Sequence, residues 1–125
     1  MVIVDGNNVM GQRVGWHRDK SAARRRLTGE VEAFAHSKKD SLILVFDGKP
    51  EPALSGLRPR PLISIQFARK GATADELILE LVYEHLKNSA VTVVTSDRAL
   101  TRQVQVLGAD VMRSGAFRKM LDDLS

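Results

Sequence analysis

Five short apolar runs alternate with longer stretches of helical periodicity, and this alternation limits the folds open to the chain. The runs cover residues 2–4, 42–46, 62–67, 91–94 and 109–112. Runs of this length are typical of buried strands. The periodicity predicts helices over residues 19–38, from residue 73 onward, and over 97–107 and 116–124. Strands alternating with helices predict an α/β fold, with three α/β/α layers around a mainly parallel five-stranded sheet.

Length and composition predict one compact domain over residues 1–125, because 125 residues with 43% hydrophobic content supply one core. No cysteine is present, which excludes a disulfide framework, a thiolate zinc site and a cysteine nucleophile. The first apolar run is too short for a signal peptide or a membrane span. We therefore expect a cytoplasmic protein that does not associate with membranes.

Local patterns refine the assignment of three segments. Residues 62–67 alternate between apolar and polar side chains, which is typical of an edge strand. Residues 49–61 hold all four prolines of the chain and predict a loop. Thr73, three residues before Glu76, predicts a capping box at the start of the third helix.

Four aspartates are expected on one edge of the sheet. Asp5, Asp47 and Asp97 each follow a predicted strand, and Asp75 opens a helix. In a parallel sheet the carboxyl ends of the strands share one edge, where ligands bind at the point of reversal in strand order. Each aspartate also has a structural explanation, as the first residue of an Asp-Gly turn or as a charge in a first helical turn.

Grouped carboxylates repel one another and raise one another's pKa, so a cation among them would offset the cost. Oxygen ligands without histidine or thiolate favour a hard ion, Mg²⁺ or Mn²⁺, which activates water and stabilises charge in phosphodiester cleavage. Asn8 could orient a ligand or water. We expect Ser96 to cap the helix that follows, although it could donate to a phosphate, and Glu76 to serve the capping box.

Positive charge is concentrated in the first part of the chain. Residues 1–70 hold 13 basic and 7 acidic side chains, a net of +6, whereas residues 71–125 hold 6 and 8, a net of −2. Basic side chains cluster at residues 24–26, 38–39, 58 and 60, and 69–70. Each cluster alone is explained by a solvated face or loop, but together they favour a track for a phosphate backbone. An acidic metal pocket beside such a track predicts a nuclease.

Other classes of protein fit less well. The histidines, residues 17, 36 and 85, lack metal-ligand spacing, and the isolated aromatics Trp16 and Phe117 are explained by packing. Neither the glycine fingerprint of a dinucleotide-binding fold nor a phosphate-binding Gly-Lys-Ser/Thr loop occurs. A phosphoacceptor receiver-like domain also has an acidic edge, but Met112-Arg113 replaces the lysine that it needs. The main alternative is a non-catalytic RNA-binding or regulatory module with the same fold.

Short motifs spread over nearly the whole chain resemble one nuclease family. They are VDGNNVM at residues 4–10, FDG at 46–48, TADE at 73–76, TSD at 95–97 and SGAF at 114–117. Their order resembles the NYN domains of the PIN-like nuclease superfamily, in particular the YacP-like branch of bacterial endoribonucleases. Asn7 departs from the resemblance, because it stands where that family commonly has tyrosine.

The resemblance implies a PIN-like fold and Mg²⁺- or Mn²⁺-dependent endoribonuclease activity. It implies metal-binding and catalytic roles for Asp5, Asp47, Asp75 and Asp97, and places Asn8 at the family's catalytic asparagine. RNA is then the expected partner, and an association with the translation machinery is implied by the resemblance alone. The expected RNA-binding side chains are Arg24, Arg25, Arg26, Arg69, Lys70 and Arg98.

Overall fold

The structure is a computed structural model that describes residues 1–51, 54 and 62–124. The described residues form a five-stranded sheet in the order β3-β2-β1-β4-β5, with every neighbouring pair parallel. Its strands are β1 (Val2–Asp5), β2 (Leu42–Phe46), β3 (Ile63–Phe67), β4 (Thr92–Val94) and β5 (Asp110–Met112). The predicted α/β fold is confirmed, and β3 lies at an edge as its alternating pattern predicts.

Helices cover both faces of the sheet. They are α1 (Gly6–Met10), α2 (Lys20–Lys38), α3 (Ala74–His85), α4 (Arg98–Leu107), α5 (Ser114–Asp123) and a 3₁₀ turn at Trp16–Arg18. The prediction lacked α1 and the 3₁₀ turn and began α5 two residues late. Most of the predicted loop over residues 49–61 lies outside the described residues. Within the part of the chain that is described, no helix is both long enough and apolar enough to cross a membrane.

Successive side chains of the central strands enter two separate cores. Val4, Leu44 and Phe46 pack in a cluster with residues of α1, α2 and α5. Ile3 and Val45 pack on the other face with residues of α3 and α4. All five side chains are fully buried. The period of two along each strand therefore produces the three layers, since each face of the sheet must bury apolar surface against helices.

Gly6 explains why a helix follows β1 directly. A Cβ atom at this position would lie 2.6 Å from the carbonyl oxygen of Val45 and 2.6 Å from the ring of Phe46. The prediction of a turn at Asp5-Gly6 is wrong, because Gly6 is the first residue of α1 and serves the close approach of β2. At Asp47-Gly48 the turn is confirmed, because Gly48 has a φ of +94°, which glycine adopts without strain.

The order of the strands determines where a ligand can bind. The chain passes from β1 to β2 and β3 on one side, then returns to place β4 and β5 on the other side of β1. The connections therefore diverge at the carboxyl ends of β1 and β4, which leaves a crevice at that point. Asp5 ends β1 and Asp97 lies three residues beyond β4, so both border this crevice.

Candidate functional site

All four predicted aspartates lie at the carboxyl edge of the sheet. Asp5 ends β1, Asp47 follows β2 directly, Asp75 lies in the first turn of α3, and Asp97 precedes α4. The Asp5 residue is 6% exposed, Asp75 and Asp97 are half-buried, and Asp47 is exposed. We call these four residues the acidic pocket, and their electrostatic coupling is described below.

Asp5 is the most strongly perturbed carboxyl of the acidic pocket. Its pKa is raised from the ordinary value of 3.8 to about 6, mainly by burial and in smaller part by the carboxylates of Asp75 and Asp47. Hydrogen bonds from the Thr95 hydroxyl and the Asn8 backbone N–H act against this rise, because they stabilise the charged form. The Asp5 carboxylate is therefore held at a cost that a nearby cation would reduce.

Asp75 connects the members of the pocket. Burial raises its pKa, and the carboxylates of Asp97 and Asp47 raise it further. Since Asp75 also raises the pKa of Asp5, all four carboxylates belong to one electrostatic group. The expectation that Asp75 shares an edge with the other three is confirmed, although it lies on a helix separated from β3 by six residues.

Asp47 joins α1 to α3 at the base of the pocket. Its Oδ1 atom accepts a hydrogen bond from the backbone N–H of Ala74, the first residue of α3, at 2.8 Å. Its own backbone N–H donates to Oδ1 of Asn7 at 2.9 Å. Asn7, the departure from the family pattern, therefore positions the backbone of Asp47. These two bonds orient Asp75, because Asp75 follows Ala74 directly.

Thr95 links the two aspartates that border the crevice, through the carboxylate of Asp5 and the backbone of Asp97. This fully buried residue donates its hydroxyl hydrogen to Oδ2 of Asp5 at 2.9 Å. The Thr95 hydroxyl oxygen in turn accepts from the backbone N–H of Asp97 at 3.1 Å. Sequence reasoning missed this role. The available signal was a hydroxyl between the end of β4 and Asp97, where an apolar residue would otherwise continue the strand.

Replacing Thr95 with valine is expected to destabilise the fold by about 1–3 kcal/mol, because the buried Asp5 carboxylate and the Asp97 N–H lose their partner. The pKa of Asp5 should also rise above its present value of about 6. Chemical denaturation and carboxyl-carbon NMR titration measure the two effects. Thr95→Ser keeps the hydroxyl and serves as the control. Equal stability and equal Asp5 pKa in both variants would contradict this role.

Asn8 belongs to a hydrogen-bonded ring that closes the site behind the acidic pocket. Its Oδ1 atom accepts from the backbone N–H of Ser96 at 2.8 Å and from the hydroxyl of Ser114. The Ser96 hydroxyl in turn accepts from the backbone N–H of Ser114 at 3.0 Å. The ring ties α1 to the end of β4 and to the start of α5. Asn8 therefore positions Ser96 and Ser114 through its side-chain carbonyl oxygen.

The expectation that Ser96 caps α4 is wrong. Asp97 is the N-cap, and its Oδ1 atom accepts from the backbone N–H of Leu100 at 2.9 Å. Ser96 instead accepts from the first residue of α5. The predicted cap of α3 is confirmed, because the Thr73 hydroxyl accepts from the backbone N–H of Glu76 at 3.1 Å. Asp97 therefore combines a capping oxygen with a charge that acts on Asp75.

Arg24 is half-buried and is held by several partners. Its guanidinium donates to Oε1 of Glu51 and to the carbonyl oxygen of Asp47, both at 2.8 Å. It also lies 5.6 Å from the ring centres of Phe46 and Phe67. This environment assigns Arg24 to holding the turn after β2. Its role as a phosphate contact stays a prediction.

The other predicted RNA-binding side chains are exposed, and they lie on different elements: Arg25 and Arg26 on α2, Arg69 and Lys70 after β3, and Arg98 at the start of α4. Residues 38 and 39 lie at the end of α2, just before β2 begins. They are therefore at the amino edge of the sheet, opposite the acidic pocket. Residues 58 and 60 lie outside the described residues. Among the described residues, the basic cluster at 38–39 therefore lies apart from the clusters at 24–26 and 69–70.

Direct coordination by several side chains is not preformed. Among residues 1–51, 54 and 62–124, no group of three or more His, Cys, Asp or Glu side chains is arranged to hold a metal ion. The pKa shifts of Asp5 and Asp75 indicate that the four carboxylates lie close enough to interact electrostatically. Carboxylate oxygens that do not form a ready-made ligand group fit a hydrated ion better than a dehydrated one.

The site lies on a parallel sheet with acidic residues at its carboxyl edge. Comparison of the sequence with models of protein families identifies the family. The model of the YacP-like NYN domain matches residues 2–125. The chain belongs to this family. The resemblance drawn from the five motifs is therefore confirmed, and this YacP-like NYN domain has a nuclease-type fold. A search of curated protein sequences finds no match.

Two solved structures share the fold. Rae1 (YacP) from Bacillus subtilis matches with a TM-score of 0.81 and 22% identity, over 99% of this chain and 74% of that one. A mutant of the same protein matches with a TM-score of 0.79 and 22% identity, over 98% and 74%. At this identity the likeness establishes the fold alone. Roles for individual residues depend on the geometry described above.

Proposed function

We propose that this YacP-like NYN domain is a metal-dependent endoribonuclease that cleaves RNA phosphodiester bonds at the acidic pocket. The observation that carries the proposal is the coupling of Asp5, Asp47, Asp75 and Asp97 at the crevice between β1 and β4. The protein holds these charges together although burial and repulsion raise the pKa of two of them. A function that needs negative charge at this point accounts for that cost.

The donor chemistry of the pocket supports Mg²⁺ or Mn²⁺ as the cofactor. Each aspartate supplies hard oxygen ligands, and Asp5, Asp47 and Asp97 each engage one oxygen in a bond to the protein. Their remaining oxygens could accept from water molecules of a hydrated ion. When bound, such an ion would acidify water and neutralise charge on the phosphate that is attacked.

The residues around the pocket supply positioning. Thr95 holds Asp5 and the backbone of Asp97, and Asn7 holds the backbone of Asp47. Asn8 holds the loop that carries Asp97 through the N–H of Ser96. Rigid placement of charges matters here, because the catalytic benefit of charge depends on its being oriented before the reaction. We place the reaction in the cytoplasm, where RNA is available.

A non-catalytic RNA-binding module is the second candidate. It is favoured by the dispersed carboxylates, since no ready-made ligand group of three is present among the described residues. In this case the acidic pocket would only maintain the loop structure. RNA binding without turnover distinguishes this function from the first.

Incubation of the purified protein with an end-labelled single-stranded RNA tests the proposal. We expect internal cleavage in Mn²⁺ or Mg²⁺ and none in EDTA, because the carboxylates alone do not activate water. Fragment sizes on a gel separate internal cleavage from shortening at the ends. RNA binding without cleavage in either metal would support the non-catalytic module. Equal cleavage in EDTA would place the activity outside the acidic pocket.

A further inference from the structure

A groove beside the acidic pocket carries three arginines from the half of the chain with net negative charge. Arg98 and Arg102 lie on α4, and Arg113 follows β5. With Thr95, Ser96 and Thr101 they line a cavity of about 430 Å³. We call this cavity the arginine groove. Its volume is within the range of sites that accept a nucleotide-sized ligand.

The arginines of the groove are exposed and have no acidic partner in the described part of the chain. Among the described residues, no carboxylate lies within ion-pair distance of Arg98, Arg102 or Arg113. Arg98 and Arg102 are four residues apart on α4, so their like charges destabilise the helix slightly. By contrast, Arg13, Arg24 and Arg118 each pair with a glutamate. The groove therefore has positive charge available for an anionic ligand.

The groove adjoins the acidic pocket through residues 95–98. Thr95 lines the groove and also contacts Asp5 and the backbone of Asp97. Arg98 directly follows Asp97, and the Ser96 loop is held by Asn8. A strand whose scissile phosphate lies at the acidic pocket would therefore place neighbouring phosphates in the groove. Guanidinium groups suit this task, because their planar donors match phosphate oxygens.

We propose that the arginine groove binds the phosphates of single-stranded RNA next to the bond that is cleaved. This inference rests on the proposed function for the identity of the substrate. It adds Arg102 and Arg113, which the charge distribution along the sequence does not reveal. Of the three groove arginines, Arg98 alone was among the expected RNA-binding side chains.

The double variant Arg102→Gln, Arg113→Gln tests the groove. Binding of a fluorescein-labelled 12-nucleotide single-stranded RNA is measured by anisotropy in EDTA, over a range of salt concentrations. We expect the affinity to fall about tenfold or more at ~0.1 M salt, because two phosphate contacts are lost. The slope of log affinity against log salt should become shallower by about 1.4. Unchanged affinity and slope would overturn the proposal.

The double variant Lys38→Gln, Lys39→Gln is the matched control. It removes the same charge from exposed side chains at the opposite edge of the sheet. We expect less than a twofold change in affinity. An equal loss in both double variants would show that net charge alone is responsible and would overturn the groove. DNA of the same sequence should lose affinity in parallel, because phosphates carry the contact, and a loss confined to RNA would contradict it.

Two further measurements keep this test independent of folding and of cleavage. Arg102→Gln alone changes one exposed side chain on α4, so it should keep the melting temperature and still weaken binding severalfold. Unchanged binding in this single variant would also count against the groove. Binding is measured in EDTA, where no cleavage is expected, so the two proposals can fail separately. If the wild type cleaves no RNA but the variant loses binding, the endoribonuclease proposal is overturned and the groove proposal stands. If the wild type cleaves RNA but the variant binds it as well as the wild type does, the groove proposal is overturned and the endoribonuclease proposal stands.

Discussion

Asp97→Asn is expected to lower the rate of metal-dependent RNA cleavage by about 100-fold or more, because it removes a charge from the acidic pocket. The substitution leaves the fold intact. Asparagine caps helices about as well as aspartate, so the bond from the N–H of Leu100 can be kept. The rate is measured under single-turnover conditions at several Mn²⁺ concentrations. The remaining activity should need more Mn²⁺ for half-saturation.

Asp19→Asn is the matched control for this variant. Asp19 caps α2 in the same way, with Oδ1 accepting from the backbone N–H of Ala22 at 3.0 Å. It is exposed and lies outside the acidic pocket. We expect wild-type cleavage from Asp19→Asn and an unchanged melting temperature in both variants. Wild-type cleavage by Asp97→Asn would remove Asp97 from the site, and with it the present form of the proposal.

Asp5→Asn is expected to stabilise the protein when no metal is present. The folded pKa of Asp5, about 6, lies above its ordinary value of 3.8. The folded state therefore binds the proton more tightly than the unfolded state. Stability falls as pH rises from about 4 through 6, since the native carboxyl must then ionise while buried. At pH 8 this corresponds to a cost of about 3 kcal/mol, which asparagine does not incur.

Denaturation in EDTA at pH 8 and near pH 4 measures this effect. The variant should gain about 2–3 kcal/mol in the free energy of unfolding at pH 8 and almost nothing near pH 4. Asp110→Asn, an exposed aspartate of β5, should show no gain at either pH. Added Mn²⁺ should stabilise the wild type more than Asp5→Asn. A variant that is less stable than wild type at pH 8 would show that Asp5 is a structural residue.

Much of the fold could be predicted because its signals are local. Apolar runs such as residues 42–46 must be buried on both faces, and Thr73 with Glu76 marks a helix start. The segments that were missed lack such signals. The helix α1 has five residues, too few for a helical period, and it forms because Gly6 permits contact with β2. Its existence depends on a strand almost 40 residues away.

The sequence predicted the position of the aspartates of the candidate site, but it did not predict which side chains contact one another there. Strand ends place Asp5, Asp47 and Asp97 on one edge by topology alone. Charge counts along the chain, however, pointed to Arg24, which pairs with Glu51. They also concealed the arginine groove, because acidic residues elsewhere in the same half of the chain outweigh its charge. Ion pairing is a property of neighbours in space.

The sequence by itself determined the α/β class, the family and the acidic edge of this protein. These follow from the hydrophobic periodicity and from the order of short motifs. Each of these signals is contained in a few neighbouring residues. Only the tertiary structure decided which polar groups are partners. The bonds of Thr95 to Asp5 and Asp97, the ring of Asn8, Ser96 and Ser114, and the groove with its three arginines each join elements that are distant in the chain. Hydrogen bonds and ion pairs act over about 3–4 Å, so they exist only once the sheet has brought those elements together.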